Sequence, residues 1–283
     1  MTLLDGKSLA KKIREKIATD VATLKSETGR VPGLAVLLVG NDPASHVYVN
    51  MKKKACETAK IYSIVHEMPD DISQEAIIDT ITMMNNNPNI DGILVQLPLP
   101  DHIDETLILE AVAPAKDVDG FHPFNVGRLT AGLDGFIPCT PLGVMEMLKE
   151  YDINPKGMNA VIVGASNIVG KPMASLLLNA DATTSVCHIN TKDLKAYTLQ
   201  ADIICIGTGV INLLKEDMVK PGAIVVDIGI NKNDEGKIVG DVDFDKVSPK
   251  TSFITPVPGG VGPMTIAMLL KNTLKSAQMR KDT

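Results

Sequence analysis

The sequence predicts an α/β fold of two domains, each a mostly parallel sheet flanked by helices, the second Rossmann-like. Three observations predict it. Buried-type apolar runs of strand length alternate with helical periodicities along the chain. The alternation falls into two βαβαβ series joined by a helix over residues 140–151. The second series opens with Val161-Ile162-Val163-Gly164-Ala165-Ser166-Asn167-Ile168-Val169-Gly170-Lys171-Pro172, which reads as a strand, a tight turn and a helix start. A helix start turns N–H groups and the positive end of its dipole outward, which suits a phosphate. A chain of 283 residues, 45% hydrophobic and 22% charged, has room for two domains with sizeable cores.

The elements follow in order. Residues 8–27 form an amphipathic helix, because Leu9, Ile13, Ile17, Val21 and Leu24 recur at helical spacing with Lys and Arg on the other face. Gly33 to Gly40 is a buried strand. Asp42-Pro43 then supplies a capping side chain and a proline at the first helical position, so a helix runs to about Lys60. A strand over 61–68, a helix over 73–84 and a strand over 90–97 complete the first series, with right-handed crossovers and parallel strands. A helix over 103–113 and a loop over 116–123 follow. The second series has strands over 160–164, 184–188, 202–207 and 223–229. Its helices lie over 170–180, 192–200 and, briefly, 215–219. An irregular stretch, Pro256 to Pro263, precedes a last helix over 264–279. The expected division is 1–138, completed by 259–283, for one domain and 139–258 for the other.

Composition excludes several classes. A net charge of -6 lacks the basic footprint of a nucleic-acid binder. No run approaches the ~18 apolar residues of a membrane span. The start of the chain carries no apolar h-region, so the expected location is cytoplasmic. Cys56, Cys139, Cys187 and Cys205 are far apart and read as reduced, buried thiols. No His, Cys and carboxylate cluster has ligand spacing, so no metal is expected.

Open parallel sheets bind ligands at the carboxyl ends of their strands. In the second half those ends are Gly164-Ala165-Ser166, His188, Gly207-Thr208-Gly209 and Gly229-Ile230-Asn231. Three of the four contain glycine, which lets backbone approach a flat ligand. A dinucleotide is the ligand this pattern fits. Its contacts are expected at Gly164, Ala165, Ser166, Ile168, Val169, His188, Thr191, Thr208, Gly209 and Ile230. An NAD site carries an acid about 20 residues past the glycines. Here that place is Cys187-His188-Ile189-Asn190-Thr191-Lys192, without an acid, so NADP is expected, with NAD possible. In the first half, Tyr48 and Lys52 stand four apart and share a helix face. Lys52 could equally belong to a solvated basic face with Lys53 and Lys54. Gln96, at the mouth of an apolar strand, needs a partner or a ligand. Asp117 and Asp119 fit a polar turn as well as a site. Pro258-Gly259-Gly260 is a hinge or a ligand-facing loop.

Four stretches together resemble one family, the bifunctional methylenetetrahydrofolate dehydrogenase/cyclohydrolases. Ser45-His46-Val47-Tyr48-Val49-Asn50-Met51-Lys52 resembles its Ser-x-x-Tyr-x-x-x-Lys helix. Val95-Gln96-Leu97-Pro98-Leu99-Pro100 resembles its glutamine signature, and Lys116-Asp117-Val118-Asp119-Gly120 its acidic loop. Pro258-Gly259-Gly260-Val261-Gly262-Pro263-Met264-Thr265 resembles its C-terminal signature. The resemblance spans essentially the whole chain. One departure is Ala165, where the family commonly has arginine near the cofactor 2′-phosphate.

The resemblance implies oxidation of 5,10-methylenetetrahydrofolate by NADP, then hydrolysis of the methenyl product to 10-formyltetrahydrofolate, a step in one-carbon metabolism and purine biosynthesis. It implies catalytic roles for Lys52, Tyr48, Gln96 and Asp119. Folate contacts would come from Tyr48, Lys52, Val95, Gln96, Leu97, Asp119, Pro258, Gly259 and Gly260. It also implies a homodimer. Two other readings stand beside it. Another two-domain NAD(P)-dependent dehydrogenase explains the second half but not Tyr48, Lys52 and Gln96 together. A non-catalytic nucleotide-sensing module predicts cofactor binding without turnover.

Overall fold

The computed structural model describes residues 1–280; Lys281, Asp282 and Thr283, the end of the expected 259–283 segment, lie outside them. The first half runs β1 (Thr2–Leu3), α1 (Gly6–Thr28), β2 (Gly33–Val39), α2 (Pro43–Ala59), β3 (Tyr62–Met68), α3 (Gln74–Asn86) and β4 (Gly92–Val95). Three helices follow: α4 (Glu105–Ala111), α5 (Pro123–Thr130) and α6 (Cys139–Glu150). Then come β5 (Asn159–Val163), α7 (Gly170–Asn179), β6 (Thr183–Cys187), α8 (Leu194–Thr198), β7 (Ile203–Ile206) and β8 (Ile224–Asp227). The chain ends with β9 (Asn231–Lys232), β10 (Ile238–Val239), α9 (Phe244–Val247), β11 (Phe253–Ile254) and α10 (Val261–Met279). These sort into two compact units. One comprises Met1–Ala10, Leu129–Leu133 and Thr140–Thr265; the other comprises Lys11–Arg128, Asp134–Cys139 and the described residues from Ile266.

The second of these units is built on a parallel sheet of order β3-β2-β4. All seven residues of β2 are buried, as a centre strand covered on both faces requires. Each large apolar side chain there contributes ~1.5–3 kcal/mol by leaving water, so β2 rather than the half-exposed β3 anchors the sheet. Helix α2 starts as its sequence predicts: Asp42 accepts from Ser45 N, and Pro43 follows it. The stretch expected to be a plain loop does more. Lys116 O accepts from Ile93 N at 2.8 Å and Asp117 bridges Ile93 in parallel, so this segment lies beside β4. The last helix packs here from Ile266 on. Asn272 Nδ2 donates to Val118 O at 2.8 Å, and Ser276 Oγ to Asp91 O at 2.6 Å.

The other unit holds a parallel sheet of order β1-β11-β8-β7-β5-β6. Its four longer strands are those expected. The two-residue strands β1 and β11 are additional. Pairing of Thr2–Leu3 with Phe253–Ile254 puts the first ten residues in this unit, not with 11–128 as the expected boundary had it. Residues 259–265 belong here too, so the expected change of domain at 259 falls later, at Ile266. The short helix expected over 215–219 is a single 3-10 turn, Glu216–Met218. A hairpin, β9–β10, follows β8. Among the described residues no helix is long and apolar enough to cross a membrane.

Candidate functional site

Strand order reverses between β2 and β4, and the carboxyl ends of the strands on either side of such a point are where open parallel sheets bind ligands. Helix α2 leaves the end of β2 and carries Lys52; Gln96 directly follows β4. Gln96 N donates to Leu37 O at 2.9 Å, which continues the ladder and fixes where the amide side chain starts. Lys52 Nζ donates to Gln96 Oε1 at 2.9 Å, and Gln96 Nε2 donates to Leu97 O at 2.7 Å. Lys52 is therefore not a third member of a solvated run with the exposed Lys53 and Lys54. Burial pulls its ammonium below the ordinary lysine range, while the nearby Asp119 carboxylate pulls it back up.

Asp119 is delivered by the segment beside β4. Burial raises its carboxyl above the usual range, and the Lys52 charge and a hydrogen bond with the Cys139 thiol oppose that. Cys139 Sγ also lies 3.4 Å from Val118 O, and burial pushes its thiol well above the usual value. Asp117 plays a different part from Asp119. Its two oxygens accept from Gly120 N, Phe121 N, His122 N and Asn125 Nδ2 at 2.8–3.1 Å, so it holds the loop and is spent on it. Tyr48 lies one turn before Lys52 and is 37% exposed. Val95 is a different matter from the expectation: its side chain is buried in the sheet core, which leaves only backbone to face a ligand. Leu97 is half-buried. Lys52, Gln96, Asp119 and Cys139 thus form one polar cluster, Gln96 and Cys139 buried and Lys52 and Asp119 half-buried, with Tyr48 one helical turn from Lys52. Cys139 is the member that the sequence reading missed; burial alone was its only signal.

In the six-stranded unit the order reverses between β5 and β7, and the glycine turn sits there. Gly164 has φ +116°, and a Cβ on it would lie 2.4 Å from Gly207 O. A Cβ on Gly170 would lie 2.0 Å from Gly164 O. The turn is thus a close-packed backbone cradle in which only glycine fits. Ser166 Oγ accepts from Val169 N at 3.1 Å and Gly170 N at 3.4 Å. The expected outward N–H groups of the helix start are to that extent used within the turn, while the hydroxyl keeps its own proton to donate. Lys171 follows, exposed, with Nζ 2.6 Å from Asn167 Oδ1. Ala165 is half-buried beside Ser166.

At the end of β6, Thr191 Oγ1 accepts from His188 N at 2.9 Å, and both residues stay near the surface. Ile168 and Ile230 expose 37% and 47% of their surface beside these turns, which suits a ring system. Thr208 and Gly209 differ from the expectation in one respect: their N–H groups and the Thr208 hydroxyl all point to Asp241. Pro258, Gly259 and Gly260 lie in this unit, not in the one that carries Lys52. Gly259 O accepts from Lys7 N at 2.8 Å, and Gly260 packs against Gly6 so closely that a Cβ there would lie 2.0 Å from Gly260 O.

Comparison with known proteins gives a consistent result. The catalytic domain of the tetrahydrofolate dehydrogenase/cyclohydrolase family matches residues 4–119, and the NAD(P)-binding domain of the same family matches residues 138–281. The chain is 72% identical over 278 residues to the bifunctional protein FolD of Sulfurimonas denitrificans, covering 98% of each. It is 60% identical to the bifunctional enzyme FolD from Campylobacter jejuni, a methylenetetrahydrofolate dehydrogenase/cyclohydrolase, whose crystal structure matches with a TM-score of 0.98 over 99% of both chains. The Trypanosoma brucei dehydrogenase-cyclohydrolase, solved with NADP cofactor and inhibitor, is 36% identical with a TM-score of 0.96, over 100% of this chain and 99% of that one.

Proposed function

The chain belongs to the tetrahydrofolate dehydrogenase/cyclohydrolase family, and on that premise we propose how its own residues divide the two reactions. The protein oxidises 5,10-methylenetetrahydrofolate with NADP+ and hydrolyses the methenyl product to 10-formyltetrahydrofolate. The observation that carries the division of labour is the 2.9 Å Lys52–Gln96 bond beside Asp119.

NADP, when bound, accepts hydride from the methylene carbon. That step moves no proton through a side chain, so the protein contributes alignment. Tyr48 packs on the folate ring system, Gln96 holds the Lys52 amine, and Asp119 accepts from the donor edge of the pterin. Hydrolysis needs proton management. A desolvated Lys52 has an enlarged neutral fraction near neutral pH, which suits a base. Its amine takes a proton from the water attacking the methenyl carbon. The resulting ammonium gives a proton to the ring nitrogen as that carbon–nitrogen bond breaks, and the hydroxyl proton leaves to solvent.

The glycine cradle fits a dinucleotide, because its backbone can approach where a Cβ would collide. Ser166 donates its free hydroxyl proton to a phosphate oxygen, and Lys171 adds charge at the helix start. Lys192, exposed just past Thr191, supplies the cation for the 2′-phosphate that Ala165 cannot. The protein is a cytoplasmic homodimer; its four cysteines are buried free thiols, which supports a reducing compartment. Strand β6, with Val186 41% exposed at the end of the six-stranded sheet, is the edge suited to pair with a second copy. Light scattering checks the dimer.

Purified protein with methylenetetrahydrofolate and NADP+ tests the reading. The expected result is NADPH formation with transient methenyl absorbance, and hydrolysis of preformed methenyltetrahydrofolate without cofactor. Oxidation without hydrolysis favours a different dehydrogenase, and binding without either reaction a nucleotide sensor.

A further inference from the structure

Two buried acids sit in the six-stranded unit, and neither reaction uses them. Asp227 ends β8. Asp241 follows the β9–β10 hairpin, and the two are 3% and 0% exposed. Asp227 Oδ1 accepts from Gly229 N at 2.9 Å and Asp241 N at 3.0 Å, and its Oδ2 from Val242 N at 3.0 Å. Asp241 Oδ2 accepts from Thr208 N, from Thr208 Oγ1 at 2.9 Å and from Gly209 N at 3.1 Å. Its Oδ1 accepts from Asn231 Nδ2 at 2.8 Å. All these donors are neutral. The packing excludes side chains: a Cβ on Gly229 would lie 2.3 Å from Asp241 Oδ1, and one on Gly240 1.9 Å from Asp227 Oδ2.

We infer that Asp241, itself held by Asp227, is a positioning residue for the cofactor: it locks the Thr208–Gly209 turn of β7 to the Gly229–Asn231 turn of β8. The inference rests on the reading that this unit holds NADP at those strand ends. Closing a hairpin needs no acid; an apolar contact closes it without stranding charge. Two carboxylates whose hydrogen-bond donors among the described residues are neutral are costly to bury, and burial together with the Asp241 charge pushes Asp227 up to about 6 against its backbone donors. What an acid does that an apolar side chain cannot is collect three donors of one loop on a single oxygen. With those donors turned inward, the Thr208–Gly209 turn has one orientation toward its ligand.

The two acids respond differently to amide replacement. In Asp241→Asn the oxygen stays on Thr208 and Gly209, and the NH2 meets Asn231, whose own amide can turn over to accept. In Asp227→Asn both positions face amide N–H groups, so the NH2 meets a donor either way. Steady-state kinetics on the full-length protein test this. Asp241→Ala is expected to raise the NADP KM about tenfold or more, while Asp241→Asn raises it less than about threefold and Asp227→Asn resembles Asp241→Ala. Hydrolysis of preformed methenyltetrahydrofolate stays within about twofold of the parent in each, which also reports folding. Thr208→Val, which removes one donor only, raises the same KM by about two- to fivefold. An unchanged NADP KM in Asp241→Ala overturns the inference. So do equal losses of both activities in Asp241→Ala and Asp241→Asn, which mark a purely structural role. A parent protein that fails to oxidise methylenetetrahydrofolate with NADP overturns the functional reading instead.

Discussion

Replacing Gln96 by glutamate perturbs the pairing at the centre of the proposed folate site. Lys52 Nζ donates to Gln96 Oε1 at 2.9 Å, and Gln96 Nε2 donates to Leu97 O at 2.7 Å. Glutamate keeps the first contact and charges it. Two unit charges about 3 Å apart attract by ~5 kcal/mol at an effective dielectric near 20. The second contact becomes oxygen against oxygen, at a cost of ~1–3 kcal/mol. The attraction is the larger, so the new side chain stays ionised beside the amine. An opposite charge at that range moves a pKa by ~1–3 units. Lys52, which burial holds below the ordinary lysine range, is therefore driven back up. Each unit upward removes tenfold of the neutral amine at neutral pH. Hydrolysis of methenyltetrahydrofolate should fall ~10–10³-fold, recover at alkaline pH, and show its pH midpoint displaced upward by ~1–3 units. Oxidation should fall less than about tenfold, through alignment alone. The decay of methenyl absorbance, followed across the neutral to alkaline range in both proteins, is the assay. A midpoint that does not move, or a loss that alkaline pH leaves in place, would refute the reasoning.

In the parent, hydrolysis should rise with pH through an ionisation below the ordinary lysine value of 10.5, because burial lowers Lys52 and the neutral form is active; a pH–rate profile with no such limb counts against the assignment. Asp119→Asn removes the charge that holds Lys52 up, so that limb should shift to lower pH, while the folate KM rises about tenfold through the lost charge-assisted contact. Ala165→Arg should raise the NADP-over-NAD ratio of kcat/KM by ~10–100-fold, one charge-assisted phosphate contact being worth ~1.5–3 kcal/mol. A parent that prefers NAD would defeat the expectation that NADP is its cofactor.

The parts legible in the sequence are those whose physics is local. The seven buried residues of β2, the Asp42-Pro43 cap of α2 and the glycine turn after β5 each carry their cause within a few residues. What escaped depends on partners far along the chain. Thr2–Leu3 and Phe253–Ile254 are too short to show a period, and each is a strand only because the other is there. Lys116 and Asp117 leave no pattern because a single bridge to Ile93 places them. Ser166 was legible as a polar residue in the turn, but not as the acceptor that closes the start of α7. Cys139 looks like any buried thiol until Asp119 is beside it. Asp227 and Asp241 meet only once a hairpin has formed between them.

The claim that Lys52 serves hydrolysis and not hydride transfer is tested most directly by progress curves of two variants, Lys52→Met and Lys53→Met, each followed for NADPH and methenyltetrahydrofolate in one reaction. Lys52 is bonded to Gln96, whereas Lys53 is exposed, so the two neighbours should behave differently. Lys52→Met should lose ~10²–10⁴-fold in hydrolysis, the usual cost of removing a general acid–base group, and accumulate methenyltetrahydrofolate while NADPH still forms. Lys53→Met should trace the parent. Hydrolysis by Lys52→Met within a few-fold of the parent, or identical curves for the two variants, would contradict the account.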